Sequence, residues 1–431
     1  MKRLNRWISA VLLMASASTF AAEAPSALAT RLLDQLDAAQ YSAAEAMFSA
    51  EMKAAVPADK LKAVWESLPA QMGAAGKRGD AQISEADGYR IVVIPLDYAN
   101  GHLQARIVLD KDDKVAGFLV QPAAPPAAAA PAADASFIEQ PFSVPIGADG
   151  KNSLPATLAL PKGKGPFPAV VLVHGSGPQD RDETTGPNRP FLDIARGLAA
   201  QGIAVLRYEK RTHARPQDFT GAFSIDDETT DDAVSAVTAL ANTTGIDPKH
   251  LYVLGHSQGG MLAGRIAKAS GDKLAGLILL AAPVRPILDI LAEQNRYLVN
   301  LDGNISAEEQ THLDALDAAI ATVRRDPTAT LMNLPGSFWQ QLEQVDPVAD
   351  VRNSGLPVLL LQGGRDFQVV DAEWQLWKKG LQGERYRFHH YPALNHLGIT
   401  SNGKGGMAEY EQAGHVDAAL INDIASWIKA Q

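Results

Sequence analysis

Between residues 169 and 391 the chain repeats one pattern: a short apolar run, then a longer stretch with helical spacing. The runs are 169–173, 203–208, 251–254, 277–281, 358–361 and 386–391, and the stretches between them include 191–200, 229–241 and 259–269. The middle runs are continuous rather than alternating. Strands of that kind are buried on both faces, which requires a mostly parallel sheet covered by helices on each side. Two earlier runs, 137–145 and 154–160, flank a turn-rich segment at 147–152 and read as a hairpin. The expected fold class is therefore α/β, with an eight-stranded, mostly parallel sheet.

The rest of the chain is parcelled around this unit. Residues 122–135 hold four prolines and nine alanines, too few large apolar groups to pack a core. They are expected to act as a semi-rigid linker. The linker separates a small N-terminal piece, 23–121, from 136–431. In the small piece Leu28, Leu32 and Leu36 recur at helical spacing, and Leu61, Val64, Trp65 and Leu68 mark one face of a second helix. Strand-like runs at 88–97, 103–110 and 114–121 follow. Helices packed on a curled antiparallel sheet fit this order, making a small α+β domain. Its one histidine, His102, is read as solvated. Residues 1–22 combine Lys2, Arg3 and Arg6 with a short apolar run and small residues near Ala21. They read as a cleavable export signal, which points to the periplasm or to secretion. Removing its three positive charges moves the formal net charge from −10 to −13. That acidic balance argues against nucleic acid as a partner, and no apolar run after the signal is long enough for stable membrane insertion. With no cysteine, disulfides, thiolate metal sites and a cysteine nucleophile are excluded.

The chemistry concentrates in 136–431. Gly255-His256-Ser257-Gln258-Gly259 follows the run 251–254 and opens a helical stretch. This G-x-S-x-G in a strand–turn–helix context marks Ser257 as a nucleophile held on a sharp turn. A serine hydroxyl needs a base, and the base an orienting acid. Asp366 lies just beyond the seventh apolar run and His396 just beyond the eighth, both where strand C-terminal ends carry sites in open sheets. Asp371 is the second choice for the acid; Asp350, His389, His390 and His415 fall in less suitable places. After the third run stands His174-Gly175-Ser176-Gly177-Pro178. The backbone N–H groups of Ser176 and Gln258 are the expected oxyanion donors, with Gly175 the nearest alternative. His174 itself reads as a structural residue that ties its loop. The acidic run 226–232 lacks calcium-loop spacing and reads as the start of a helix, so no metal and no cofactor is expected.

These residues resemble those of α/β-hydrolase serine hydrolases, and more narrowly of bacterial carboxylesterases with an HGSGPxDRDE oxyanion loop, here residues 174–183. Further matching segments are 186–191, 208–212 (with Glu209 where aspartate is expected), Phe338-Trp339, Asp346-Pro347 and 414–416. The small domain resembles, in element order, the cystatin-like or NTF2-like domains that accompany some secreted hydrolases. The resemblance implies metal-free hydrolysis of short- to medium-chain acyl esters through an acyl-enzyme, with a small ester as partner. Peptidase and thioesterase activity on the same fold are the alternatives, and a non-catalytic binding protein is a further one. An insertion at 284–350 is expected to form a helical cap over the site, or else peripheral helices. The charged segment 180–183 reads either as a pocket rim or as a solvated loop. Oligomeric state is not legible.

Overall fold

A computed structural model of the chain describes residues 24–431, apart from 87, 100, 124–131, 133–134 and 148–149. The expected export signal and most of the expected linker lie outside the described residues. The chain divides into two compact units, Met1–Pro126 and Ala127–Gln431.

In the first unit four helices, Pro25–Asp37, Tyr41–Ala46, Ala50–Ala55 and Ala58–Met72, precede five antiparallel strands. These are β1 (Ala75–Arg78), β2 (Gln82–Ala86), β3 (Tyr89–Tyr98), β4 (Gly101–Leu109) and β5 (Val115–Pro122). The order is β1-β3-β4-β5, with β2 also paired to β3. Leu28, Leu32 and Leu36 sit on one helical stripe and pack against the inward residues Val92, Ile94, Ala105 and Ile107 of the sheet. Trp65 and Leu61 join them, whereas Val64 is 48% exposed and lies off the stripe. β1 and β2 have no apolar alternation; backbone pairing along β3 holds them as strands.

In the second unit the strands are β6 (Phe137–Ile146), β7 (Asn152–Pro161), β8 (Phe167–Val173), β9 (Ala204–Tyr208), β10 (Ile246–His256) and β11 (Gly276–Leu280). A small ribbon, β12 (Thr330–Leu331) with β13 (Leu334–Pro335), precedes β14 (Val358–Gly363) and β15 (Tyr386–Tyr391). The eight-stranded sheet runs β15-β14-β11-β10-β8-β9-β7-β6. β6 and β7 form the hairpin, β7 meets β9 antiparallel, and every other neighbouring pair is parallel. Successive residues of each central strand face opposite cores. Val171 and Val173 pack with the helices Asp231–Ala241 and Ala263–Ser270; Val170 and Leu172 pack with Pro190–Ala199 and Ala418–Lys429. That division explains the unbroken apolar runs.

β8 lies between β9 and β10, so the chain leaves β8 on one side for β9 and returns on the other as β10. A crevice opens at such a reversal, outside the strand C-terminal ends. Between β11 and β14 the insertion folds as the helices Ile287–Val299, Ala307–Val323, Gly336–Glu343 and Pro347–Ser354. Ser306 and Glu309 close a capping box at the start of the second. Asp346 caps the last, which Gly355 ends in the left-handed region.

Candidate active site

Ser257 occupies the single residue between β10 and the helix Gln258–Met261, with φ 52° and ψ −119°. A non-glycine residue there costs on the order of 1–3 kcal/mol, which the surrounding structure must offset. The turn is tight enough to dictate its neighbours. A Cβ on Gly255 would lie 2.3 Å from the Gly259 carbonyl oxygen, and one on Gly259 would lie 2.4 Å from that of Val173. The Ser257 N–H donates to the Leu280 carbonyl at 2.9 Å, pinning the turn to the end of β11.

Asp366 lies in the loop after β14 and His396 in the loop after β15. Asp366 Oδ2 is 2.7 Å from His396 Nδ1, and Oδ1 accepts the N–H groups of Gln368 and Val369 at 2.8 Å each. Both side chains are buried. With Nδ1 donating to a carboxylate, Nε2 is the nitrogen left to act as a base. Asn395 braces the histidine loop, its Oδ1 accepting from the Leu397 and Ile399 amides. The competing residues are engaged elsewhere. His389 meets Asp423 at 2.8 Å, His390 lies 3.9 Å from Asp371, and His415 lies 3.1 Å from Asp193. Asp350 sits within the helix Pro347–Ser354.

The loop after β8 stands beside the Ser257 turn. Gly175 N–H donates to Glu183 Oε1 at 2.6 Å. Among the described residues, the N–H groups of Ser176 and Gln258 have no protein acceptor. His174 Nε2 is 3.0 Å from the Asp180 carbonyl oxygen, and burial pulls its pKa down to about 4, so it is a neutral structural residue. The segment 180–183 is neither a pocket rim nor a solvated loop. Asp180 accepts the amides of Asp182 and Thr184, Asp182 pairs with Arg207, and Arg181 donates to Glu209 at 2.5 Å. Glu183, at φ 53°, turns inward. Its Oε2 lies 2.9 Å from His256 Nδ1, a close ion pair without hydrogen-bond alignment. His256 Nε2 in turn is 2.9 Å from the carbonyl oxygen of His396, and the two rings lie 4.6 Å apart. Burial by itself would raise the Glu183 pKa and lower that of His256; their mutual attraction outweighs it and moves both the other way. The contact with Glu183 favours the charged form of His256, which links the loop after β8 to the loop after β15.

Residues 166–400 match the family described as serine aminopeptidase, S33. The chain belongs to that family. Residues 29–118 match a family described only as a protein of unknown function (DUF3887). Esterase EstD of Thermotoga maritima is 36% identical over 400 residues, covering 92% of this chain and 93% of that protein. The alignment therefore takes in the small unit as well as the S33 unit. Among solved structures, Est1E from Butyrivibrio proteoclasticus shares 16% identity at a TM-score of 0.44, covering 68% of this chain and 99% of that one. The esterase domain of a Rhodothermus marinus protein shares 18% at a TM-score of 0.42, covering 68% and 98%.

In this S33 member a cavity of about 620 Å³ opens over Ser257, with Ser176 and Gln258 in its wall. The insertion lines it through Ile287, Ile290 and Leu291, through the ribbon at Met332 and Leu334, and through Phe338 and Trp339. It is therefore a cap, and the reading as peripheral helices is set aside. Sequence reasoning missed the wall formed by Thr212, Pro216 and Phe219, which follow β9 without any apolar period. The run 226–232 begins a helix as expected, a π-turn over Asp226–Thr230 leading into Asp231–Ala241, but sequence reasoning missed that three of its carboxylates form ion pairs: Asp226 with Arg265, Glu228 with Lys210, and Asp232 with Arg211. The Tyr208-Glu-Lys-Arg sequence beside a matching acidic run was the available signal.

Proposed function

We propose that this S33 hydrolase is a serine carboxylesterase acting on short- to medium-chain acyl esters through Ser257, His396 and Asp366. The observation that carries the reading is a positive-φ serine at the end of β10 that opens onto one largely apolar cavity, together with a buried histidine–aspartate pair 2.7 Å apart on the loops after β15 and β14. His396 Nε2 takes the Ser257 proton as Oγ attacks the ester carbonyl. Asp366 stabilises the imidazolium that results, and the Ser176 and Gln258 N–H groups receive the oxyanion. His396 then protonates the departing alcohol. Water, deprotonated by the same nitrogen, releases the acid from Ser257.

Esters are favoured over aminopeptidase substrates by the wall of the cavity. Among the described residues lining it, the one carboxylate is Glu228, already paired with Lys210, so none is left for a substrate ammonium. The 36% identity to an enzyme named an esterase supports the same choice. Export of the mature enzyme is part of the proposal and rests on the character of residues 1–22. Ser257→Ala is expected to retain the wild-type fold, to lose hydrolysis of p-nitrophenyl butyrate and to lose labelling by a fluorophosphonate. Unchanged turnover in that variant would remove the assignment.

A further inference from the structure

Lys210 follows β9 and is 2% exposed, and Glu228 is 4% exposed. They form an ion pair with each other. Each then makes one contact toward the oxyanion side of the site. Lys210 Nζ donates to the carbonyl oxygen of Gly175 at 2.7 Å. Glu228 Oε2 accepts from the side-chain amide of Gln258 at 2.9 Å and from the Thr229 hydroxyl. Buried charges of this kind carry a desolvation cost of several kcal/mol per ion, so the pair is a poor way to gain stability alone.

Its placement has a specific consequence. The Gly175 carbonyl and the Ser176 N–H are the two ends of one planar peptide, and in a trans peptide they point in opposite directions. A cation on the carbonyl therefore aims the N–H away from Lys210 and draws electron density off its nitrogen. The preceding peptide is held too, because Glu183 accepts the Gly175 N–H. Gly175 cannot rotate without breaking one of these two charge-assisted bonds. Hydrogen bonds in a chain strengthen one another, and a charged first member strengthens them most. On the other side Glu228 fixes Gln258, whose own N–H is the second donor.

We propose that Lys210 and Glu228 are positioning residues of the oxyanion hole, Lys210 orienting and polarising the Gly175–Ser176 peptide while Glu228 anchors Gln258. The inference rests on the reading of Ser257 as nucleophile with Ser176 and Gln258 as donors. The pair acts when charge develops on the carbonyl oxygen, so its loss falls on kcat and spares KM.

The test uses the full chain with Lys210→Met, Glu228→Gln and the Lys210→Met/Glu228→Gln double variant. Turnover of p-nitrophenyl butyrate is read beside the inhibition constant of an alkyl trifluoromethyl ketone, which adds to Ser257 as an anionic tetrahedral adduct. Inhibition by the corresponding unreactive methyl ketone reports ground-state binding. The expected result for Lys210→Met is a fall in kcat of roughly tenfold or more, KM within about twofold, and a matching loss of trifluoromethyl ketone affinity with methyl ketone affinity unchanged. The double variant leaves no buried charge unpaired and so folds even where Lys210→Met alone, which strands Glu228, does not; its kcat is expected to stay low. Recovery of wild-type kcat in the double variant, or unaltered trifluoromethyl ketone affinity, would overturn the proposal and reduce the pair to a structural one. Fluorophosphonate labelling separates the two levels: wild-type protein that is not labelled at Ser257 defeats the nucleophile reading itself, whereas normal labelling with an unaltered Lys210→Met defeats only the clamp.

Discussion

Glu183→Gln isolates the buried carboxylate that, through His256, links the loop after β8 to the loop after β15. Glutamine keeps the shape, and its Oε1 can still accept the Gly175 N–H now held at 2.6 Å. What disappears is the counterion of His256, 2.9 Å away. His256 then either stays charged and unpaired, at about 3–5 kcal/mol, or gives up its proton. Giving it up costs about 1.4 kcal/mol for each unit that pH lies below its ordinary 6.5. At pH 8.5 that term vanishes, leaving the lost charge-assisted contacts, about 1–2 kcal/mol. At pH 5.5 the total rises to about 3 kcal/mol. In the wild type the raised His256 contributes fully below 6.5, and its contribution is lost as pH rises through its folded value. The lowered Glu183 contributes above its ordinary 4.5 and is lost as pH falls through its folded value. The stability gap between wild type and variant is therefore widest between pH 4.5 and 6.5. At about 2–3 °C per kcal/mol for a unit of this size, the melting-temperature difference grows from about 2–6 °C at pH 8.5 to about 5–10 °C at pH 5.5. Calorimetry across that range, following the transition of the larger unit, measures it. A difference that is constant with pH, or that widens toward alkaline pH, refutes a cationic His256 paired with Glu183.

Asp366→Asn is expected to keep the fold, since its Oδ1 can still accept from Gln368 and Val369, but to lower kcat by roughly 10⁴ through loss of the correct His396 tautomer. Steady-state ester hydrolysis checks this, and residual activity above a tenth would show that another acid orients the histidine. Gly259→Ala places a methyl 2.4 Å from the Val173 carbonyl and 2.6 Å from that of His174. Overpacking against backbone on the order of 3 kcal/mol should lower the melting temperature by several degrees and disable the turn. A variant melting with the wild type would contradict the tight elbow.

Much of this architecture was legible in the chain. Unbroken apolar runs separated by helical spacing specify a doubly covered parallel sheet, because burial on both faces leaves no polar position. Gly255 and Gly259 around Ser257 announce a turn whose sterics act over a few residues, and the ends of β14 and β15 point to Asp366 and His396, which lie 2.7 Å apart. Such rules are local: period, turn and strand end. β1 and β2 escaped them because pairing along β3 makes them strands, and Val64 escaped because a helical face has an edge that spacing does not locate. The ion pairs lie wholly beyond local rules. Glu183 reaches His256, His256 reaches the carbonyl of a residue 140 positions onward, and Lys210 pairs with Glu228 while touching Gly175. The acidic run 226–232 does start a helix, but that it also supplies partners for three basic residues from other elements is not legible in its spacing. The sequence by itself determined the sheet, the elbow at Ser257 and the loops that hold Asp366 and His396. Only the tertiary structure decided which buried charges meet, because strand order brings them together, and a charge taken out of water is tolerated only where a partner stands within a few ångströms.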